Sequence, residues 1–174
     1  MRKAFPLLVV VLLVLWLANL AGAKEEPKFK SIEVKHFSQL EGVELPPEFS
    51  DFLYAELRAT LQKKKVAEQI LGEDEVVDPA DAANSMILEG SILEYKKGSI
   101  VKEKLIGFGV GARSLTAHLK LLRRGNNQPV IDKDLKVKAM AQLDPHHLAR
   151  FLASEITREL KHEGPGAAGT VPVP

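Results

Sequence analysis

The chain of 174 residues is 45% hydrophobic and 27% charged, a length and composition that suit one globular domain. Its 24 Lys and Arg residues nearly balance its 23 Asp and Glu residues, which leaves no general electrostatic footprint for nucleic acid. It has no cysteine, which excludes disulfides, thiol catalysis, iron–sulfur clusters and cysteine-ligated zinc.

The first 23 residues have the three parts of a secretory signal peptide. Met1–Lys3 is basic, Ala4–Leu20 is almost wholly apolar, and Ala21–Ala23 consists of small residues. We therefore predict cleavage after Ala23, which leaves a signal peptide of residues 1–23 and a periplasmic or secreted mature chain. The alternative is an inner-membrane anchor formed by residues 4–20, because the apolar run approaches the roughly 20 residues that a spanning helix needs.

The mature chain first predicts a strand and then a helix. Ser31–Lys35 alternates polar and apolar residues, the period of a half-buried strand. Pro47 is expected to open a helix, because its missing N–H would be unpaired there anyway. The helix extends to about Lys65. Its apolar stripe is formed by Phe52, Leu53, Leu57 and Leu61. Between Val66 and Asn84 the pattern is mixed, and only a short helical turn over 80–84 is predicted.

Three strands follow. Met86–Tyr95 is rich in strand-forming residues, and Gly90 at its centre indicates a bulge or a close backbone approach. Leu115–Leu121 alternates apolar and polar residues strictly. Arg124–Asn127 supplies residues that tolerate positive φ, so the next strand, Val130–Lys138, is expected to return as a hairpin.

The last predicted helix begins at Asp144–Pro145, an N-cap residue followed by proline at the first helical position. Residues 164–174, rich in Pro, Gly and Ala, are predicted to form a flexible tail. The order β-α-β-β-β-α predicts an α+β fold. We expect a single domain over 24–163, with a mainly antiparallel sheet of about four strands and two main helices on one face.

The segment between the second and third predicted strands carries apolar residues on both parities, so burial of one face cannot hide all of them. One interpretation is a strand extension whose lysines face solvent. The other is a contact element for a partner or a membrane surface, with Phe108 as its anchor. The candidate contact residues are Ile100, Val101, Leu105, Ile106, Gly107, Phe108, Gly109 and Gly111.

No set of residues converges on catalysis, a metal or a cofactor. The run Gly107-x-Gly109-x-Gly111 differs from the dinucleotide motif G-x-G-x-x-G and precedes a strand, not a helix. No G-x-S-x-G elbow is present. The acidic stretch at 73–75 is typical of a solvated loop, with a weak cation site as the alternative. No metal-binding spacing occurs among the histidines, which are His36, His118, His146, His147 and His162.

The sequence resembles a bacterial family of exported proteins. Leu88–Tyr95 followed by Gly98, and then Gly107–Gly111, are similar to the G-x-I-x-x-Y-like strand and the G-F-G-x-G run of the exported domain of unknown function 4410. The resemblance covers about Ser31 to Leu160. It implies an envelope location and a shape related to the small α/β domains of secretion and assembly lipoproteins, and it carries over no catalytic residue.

We therefore predict a non-enzymatic envelope protein, an interaction or accessory subunit that binds an unidentified envelope protein. It is predicted to bind no nucleic acid and no cofactor, and any membrane contact is expected to be indirect. Two alternatives remain. The first is a periplasmic carrier of a small apolar ligand, which would need a large apolar cavity between helices and sheet. The second is an uncharacterised hydrolase.

Overall fold

In the computed structural model, one sheet with helices on one of its faces accounts for the described part of the chain. The structure describes residues 27–73, 75, 77–106 and 111–162. The signal peptide predicted at 1–23 and the tail predicted at 164–174 lie outside the described residues.

The sheet has six strands, in the order β3-β1-β4-β5-β6, with β2 also beside β4. The strands are β1 Phe29–Val34, β2 Ser38–Gln39, β3 Ala67–Leu71, β4 Ser85–Lys96, β5 Arg113–Arg123 and β6 Pro129–Ala139. Strand β1 pairs in parallel with β3 and β4, and β2 pairs in parallel with β4. Strands β4, β5 and β6 form an antiparallel meander.

Three helices and one 3₁₀ turn complete the described fold. They are α1 Phe49–Lys63, the 3₁₀ helix Pro79–Asn84, α2 Ile100–Ile106 and α3 His146–His162. Helices α1 and α3 pack against each other and contact the sheet. Their apolar stripes meet the inward-facing residues of the central strands. Fully buried members of this core are Leu57, Leu88, Leu119, Leu121, Leu152 and Ile156.

The α+β class is confirmed, but the expected sheet is wrong in strand number and in direction. Three of its five pairings are parallel. Helix α1 connects β1 to β3 in a βαβ crossover, the segment with the 3₁₀ helix brings the chain back so that β4 also runs parallel to β1, and β2 continues in the direction of β1. The sequence pattern did not reveal β3. In that strand Glu68 and Gln69 are exposed in succession, so the strand lacks the alternation that marked the others.

The two helix starts predicted from proline have different outcomes. Helix α1 begins at Phe49 instead of Pro47, since Glu48 takes a left-handed conformation with φ of 59° and forms the boundary. At α3 the predicted cap is confirmed. The Asp144 Oδ1 atom accepts a hydrogen bond of 2.7 Å from the His146 N–H, and this bond holds the pKa of the Asp144 carboxyl below its ordinary value of 3.8.

Other local predictions can be compared directly. The helical turn near 80–84 is confirmed as a 3₁₀ helix, and the hairpin turn is confirmed with Asn127 at a φ of 53°. The close approach at Gly90 is also confirmed, because a Cβ atom there would lie 2.5 Å from the Phe37 ring. The strand extension considered for the segment after β4 is wrong, since Ile100–Ile106 is helical.

Among the residues that the structure describes, no helix combines the length and the hydrophobicity that a membrane crossing requires.

Candidate functional site

The candidate contact segment is a loop that leaves the end of β4 and returns to the start of β5. The Ser99 N–H donates a hydrogen bond of 2.7 Å to the Gly111 carbonyl oxygen, which closes the base of the loop. Two glycines make this closure possible. Gly111 has a φ of 101°, and a Cβ atom on Gly98 would lie 2.7 Å from both the Ala141 Cβ and the Gly111 carbonyl oxygen.

Helix α2 inside this loop exposes large apolar side chains. Ile100, Val101 and Leu105 are 47%, 66% and 79% exposed. Val101 and Leu105 are four residues apart and therefore share one side of the helix. Ile106 ends α2. Of the other predicted contact residues, Gly107, Phe108 and Gly109 lie outside the described residues. The structure thus places three of the predicted residues on one short helix, in a loop whose base is closed at Gly111.

Leu40 is a further exposed apolar residue that the sequence prediction missed. It follows β2, is 53% exposed, and its N–H donates a 3.0 Å hydrogen bond to the Ile92 carbonyl oxygen of β4. A groove of about 550 Å³ separates the loop 40–44 from the end of β4 and is lined there by Leu93, Tyr95 and Lys97. Burial raises the pKa of the Tyr95 hydroxyl above its ordinary value of 10.0. A single apolar residue before a turn gave no periodic signal.

The exposed apolar residues are concentrated at one end of the sheet. Both the loop after β2 and α2 leave the sheet beside the last residues of β4. Five large apolar side chains are exposed in the described part of the chain, and four of them lie at this end; the fifth, Phe151, is on α3. We call Leu40, Ile100, Val101 and Leu105 the apolar end.

Charged groups of both signs surround the apolar end. Lys97 Nζ lies 3.8 Å from Glu44 Oε2. Glu94 contacts Lys96 at 2.9 Å and Lys136 at 3.6 Å. The hydrogen bond from Lys96 holds the pKa of the Glu94 carboxyl below its ordinary value of 4.5. The apolar residues are therefore framed by a polar rim of mixed charge.

The histidines are distributed over separate polar pairs. His118 on β5 lies between Asp134, 2.7 Å from its Nδ1, and Asp132, 3.1 Å from its Nε2. His36 stacks on Tyr54 with ring centroids 3.8 Å apart. It also contacts the carboxylate of Glu73 at 2.8 Å, a hydrogen bond that lowers the pKa of that carboxyl from 4.5. Over the described residues, no three His, Asp or Glu side chains are arranged to hold a metal ion.

Solved structures share this fold at low sequence identity. The PelC dodecamer from Paraburkholderia phytofirmans is 13% identical, with a TM-score of 0.55 over 77% of this chain and 89% of that chain. Protein XCC0632 from Xanthomonas campestris, of the DUF330 family, is 10% identical, with a TM-score of 0.50 over 80% of this chain and 84% of that chain. At such identities the likeness shows the fold alone. No curated protein matches the sequence.

A protein-family model does match. The model described as "Domain of unknown function (DUF4410)" matches residues 38–131, more than half of the chain. The matched stretch runs from β2 through α1, β3, β4, α2 and β5 into β6, so it includes the groove and the apolar end. This match confirms the resemblance in the strand-and-glycine motifs, over a narrower range than Ser31–Leu160. The chain therefore belongs to the family of the domain of unknown function DUF4410.

Proposed function

We propose that this protein is an exported, non-enzymatic protein of the cell envelope that binds another envelope protein through its apolar end. The observation that carries the proposal is the placement of four large exposed apolar side chains at one end of the sheet. Burying an exposed Leu, Ile or Val side chain contributes about 1.5–3 kcal/mol, so a partner that covers these residues gains a substantial hydrophobic contribution.

The surroundings of the apolar end favour a protein partner over a lipid surface. Protein interfaces have an apolar centre and a polar rim, and here Lys97 lies 3.8 Å from Glu44 while Glu94 contacts both Lys96 and Lys136. An element that docks on anionic lipid needs an excess of Lys and Arg beside its apolar residues. The rim lysines Lys96, Lys97 and Lys136 are instead paired with Glu44 and Glu94.

The envelope location rests on the sequence, which begins with the three parts of a signal peptide over residues 1–23. The polar groups favour a non-catalytic role. Each ring nitrogen of His118 faces a carboxylate, so neither is placed to take a proton from a serine nucleophile.

The carrier alternative has less support. A carrier of an apolar ligand needs an apolar cavity between the helices and the sheet. Four cavities in the described part of the chain lie elsewhere: at the apolar end, on the uncovered sheet face, along β3 and beside the start of β1.

Site-specific photocrosslinking in cells tests the proposal. A photoreactive amino acid at position 105 would sit on the most exposed residue of the apolar end. The matched control is position 126, exposed in the turn between β5 and β6 at the opposite end of the sheet. We expect a discrete crosslinked product with another envelope protein from position 105 and none from position 126.

The products also separate the alternatives. A product of twice the mass of the chain would identify a second copy as the partner, which is a relevant outcome because the fold is shared with PelC, a dodecamer. Identical product patterns from both positions, or no product from position 105, would contradict the proposed role of the apolar end.

A further inference from the structure

A small cavity of about 260 Å³ opens on the sheet face that α1 and α3 leave uncovered. It lies where β1 leads into β2, against the middle of β4 and β5, and none of its residues belongs to the apolar end. We call it the β4–β5 cavity. Its walls are Lys35, His36, Ser38, Glu89, Gly90, Ser91, His118 and Lys120.

The pairing of β4 with β5 brings the polar side chains of the cavity together. Ser91 of β4 is paired with His118 of β5, and Glu89 is paired with Lys120, so these four side chains point to the same face of the sheet. Gly90 lies between them. Its missing Cβ leaves room on the opposite face for the Phe37 ring, which fixes the segment that carries Lys35 and Ser38 against β4.

The two lysines of the cavity make no direct ion pair in the described part of the chain, although Glu89 and Asp132 face Lys120 across the neighbouring strands. Lys30 and Lys133, also partly buried, form ion pairs with Glu68 and Glu159. Lys35 and Lys120 are partly buried as well, yet neither forms an ion pair within 4.0 Å among the described residues. The positive charge of Lys35 contributes to lowering the pKa of the Glu73 carboxyl, without a direct contact between the two side chains. A bound anion would give these two ammonium groups the direct partner that they lack.

The other walls complete the cavity without supplying that anion. The carboxylates nearest His118 belong to Asp132 and Asp134, which occupy its two ring nitrogens. Ser38 Oγ and Ser91 Oγ are 2.8 Å apart, so one of the two hydroxyl groups donates a hydrogen bond to the other. The second proton of this pair has only a long alternative, the 3.3 Å contact from Ser38 to the Gly90 carbonyl oxygen, so it is available to a ligand in the cavity.

We propose that the β4–β5 cavity binds a single monoanionic oxyanion group, a carboxylate or a phosphodiester. Lys35 and Lys120 neutralise the group, and the Ser38–Ser91 pair donates a hydrogen bond to it. Glu89 is the one carboxylate in the walls, and Asp132 and Asp134 lie beside them at His118, so the carboxylates around the cavity disfavour a polyanion and limit the ligand to a single negative charge. The volume is smaller than the roughly 300–1,000 Å³ of pockets that enclose a whole drug-sized ligand. The cavity therefore fits the charged end of a larger molecule.

Titration of the ¹⁵N-labelled protein by NMR at constant ionic strength tests this proposal. The probes are acetate, dimethyl phosphate and, as the neutral isostere of acetate, acetamide. We expect saturable shifts of the Gly90, Ser91 and Lys120 amides with one or both anions and none with acetamide. A response to acetate alone assigns a carboxylate, and a response to dimethyl phosphate alone assigns a phosphodiester.

Substitutions of the charged wall residues are expected to change the affinity for the anion in opposite directions. Lys35→Ala and Lys120→Ala are each expected to weaken binding about fivefold or more, because each removes one charge-assisted contact. Glu89→Gln is expected to tighten binding, and Lys138→Ala, an exposed lysine on β6 outside the cavity, to leave it unchanged. The absence of saturable shifts, equal effects of the three lysine variants, or weaker binding by a folded Glu89→Gln protein would overturn the proposal.

Discussion

Replacing Gly90 by alanine is expected to destabilise the protein, although alanine is the smallest possible addition. The new Cβ atom would lie 2.5 Å from Phe37 Cε2 and 2.6 Å from the His118 carbonyl oxygen. The first distance is about 1 Å short of an ordinary carbon–carbon contact. Overpacking of this kind costs about 1–3 kcal/mol. The backbone oxygen cannot rotate away, so the cost should exceed the roughly 0.5–1 kcal/mol that alanine gains over glycine in a strand.

We therefore expect a net loss of about 1–2 kcal/mol in the free energy of unfolding. Urea unfolding followed by circular dichroism measures this loss, since the single Trp of the chain lies at position 16, inside the predicted signal peptide. Gly125→Ala is the matched control, because nothing lies within 4 Å of a Cβ atom there. A Gly90→Ala protein within about 0.5 kcal/mol of the parent, the range of neutral surface substitutions, would refute the close packing of Phe37 on β4.

Three further predictions concern exposure, pH and processing. Leu105→Ser should change the free energy of unfolding by less than about 0.5 kcal/mol, whereas Leu119→Ala should cost about 2–5 kcal/mol, and urea unfolding compares them. The hydrogen bond from Lys133 lowers the folded-state pKa of Glu159 below 4.5, so its contribution is present above that pH and is lost as pH falls through the folded value. Glu159→Gln should therefore flatten the acid-side decline of the urea midpoint, and an unchanged decline would contradict this. Mass spectrometry of the envelope protein should find cleavage at Ala23–Lys24, and an intact N-terminus would favour the membrane anchor.

The parts of the fold that the sequence predicted are those with strong local signals. Leu115–Leu121 alternates strictly because one face of β5 is buried under the helices and the other is polar. The cap at Asp144 and the positive φ at Asn127 follow from local side-chain and backbone preferences. Strand β3 carries no such signal, since an edge strand with exposed Glu68 and Gln69 looks like a polar connector.

The sequence did not predict helix α2, because its first residues favour a strand whereas the loop that contains them holds a helix. Ile100 and Val101 are β-branched and favour a strand, while the residues after them are good helix formers. The context decides: the loop is closed at its base by the Ser99–Gly111 hydrogen bond, and the Lys102 N–H approaches the Ser99 hydroxyl oxygen at 3.5 Å at the helix start. The lysines of the β4–β5 cavity were also out of reach, since Lys35 and Lys120 become neighbours only through the pairing of β1, β4 and β5.

The error in strand direction also bears on the proposed function. In the predicted sheet, nothing specified where the chain after the first strand would emerge. Because β2 runs parallel to β4, with Gln39 beside Ile92, the chain leaves β2 at the same end of the sheet at which β4 ends and α2 begins. An antiparallel β2 would carry Leu40 toward the opposite end. The parallel pairing is therefore what adds Leu40 to the exposed residues of α2 at one end of the sheet, and it places the loop 40–44 across a groove from the end of β4.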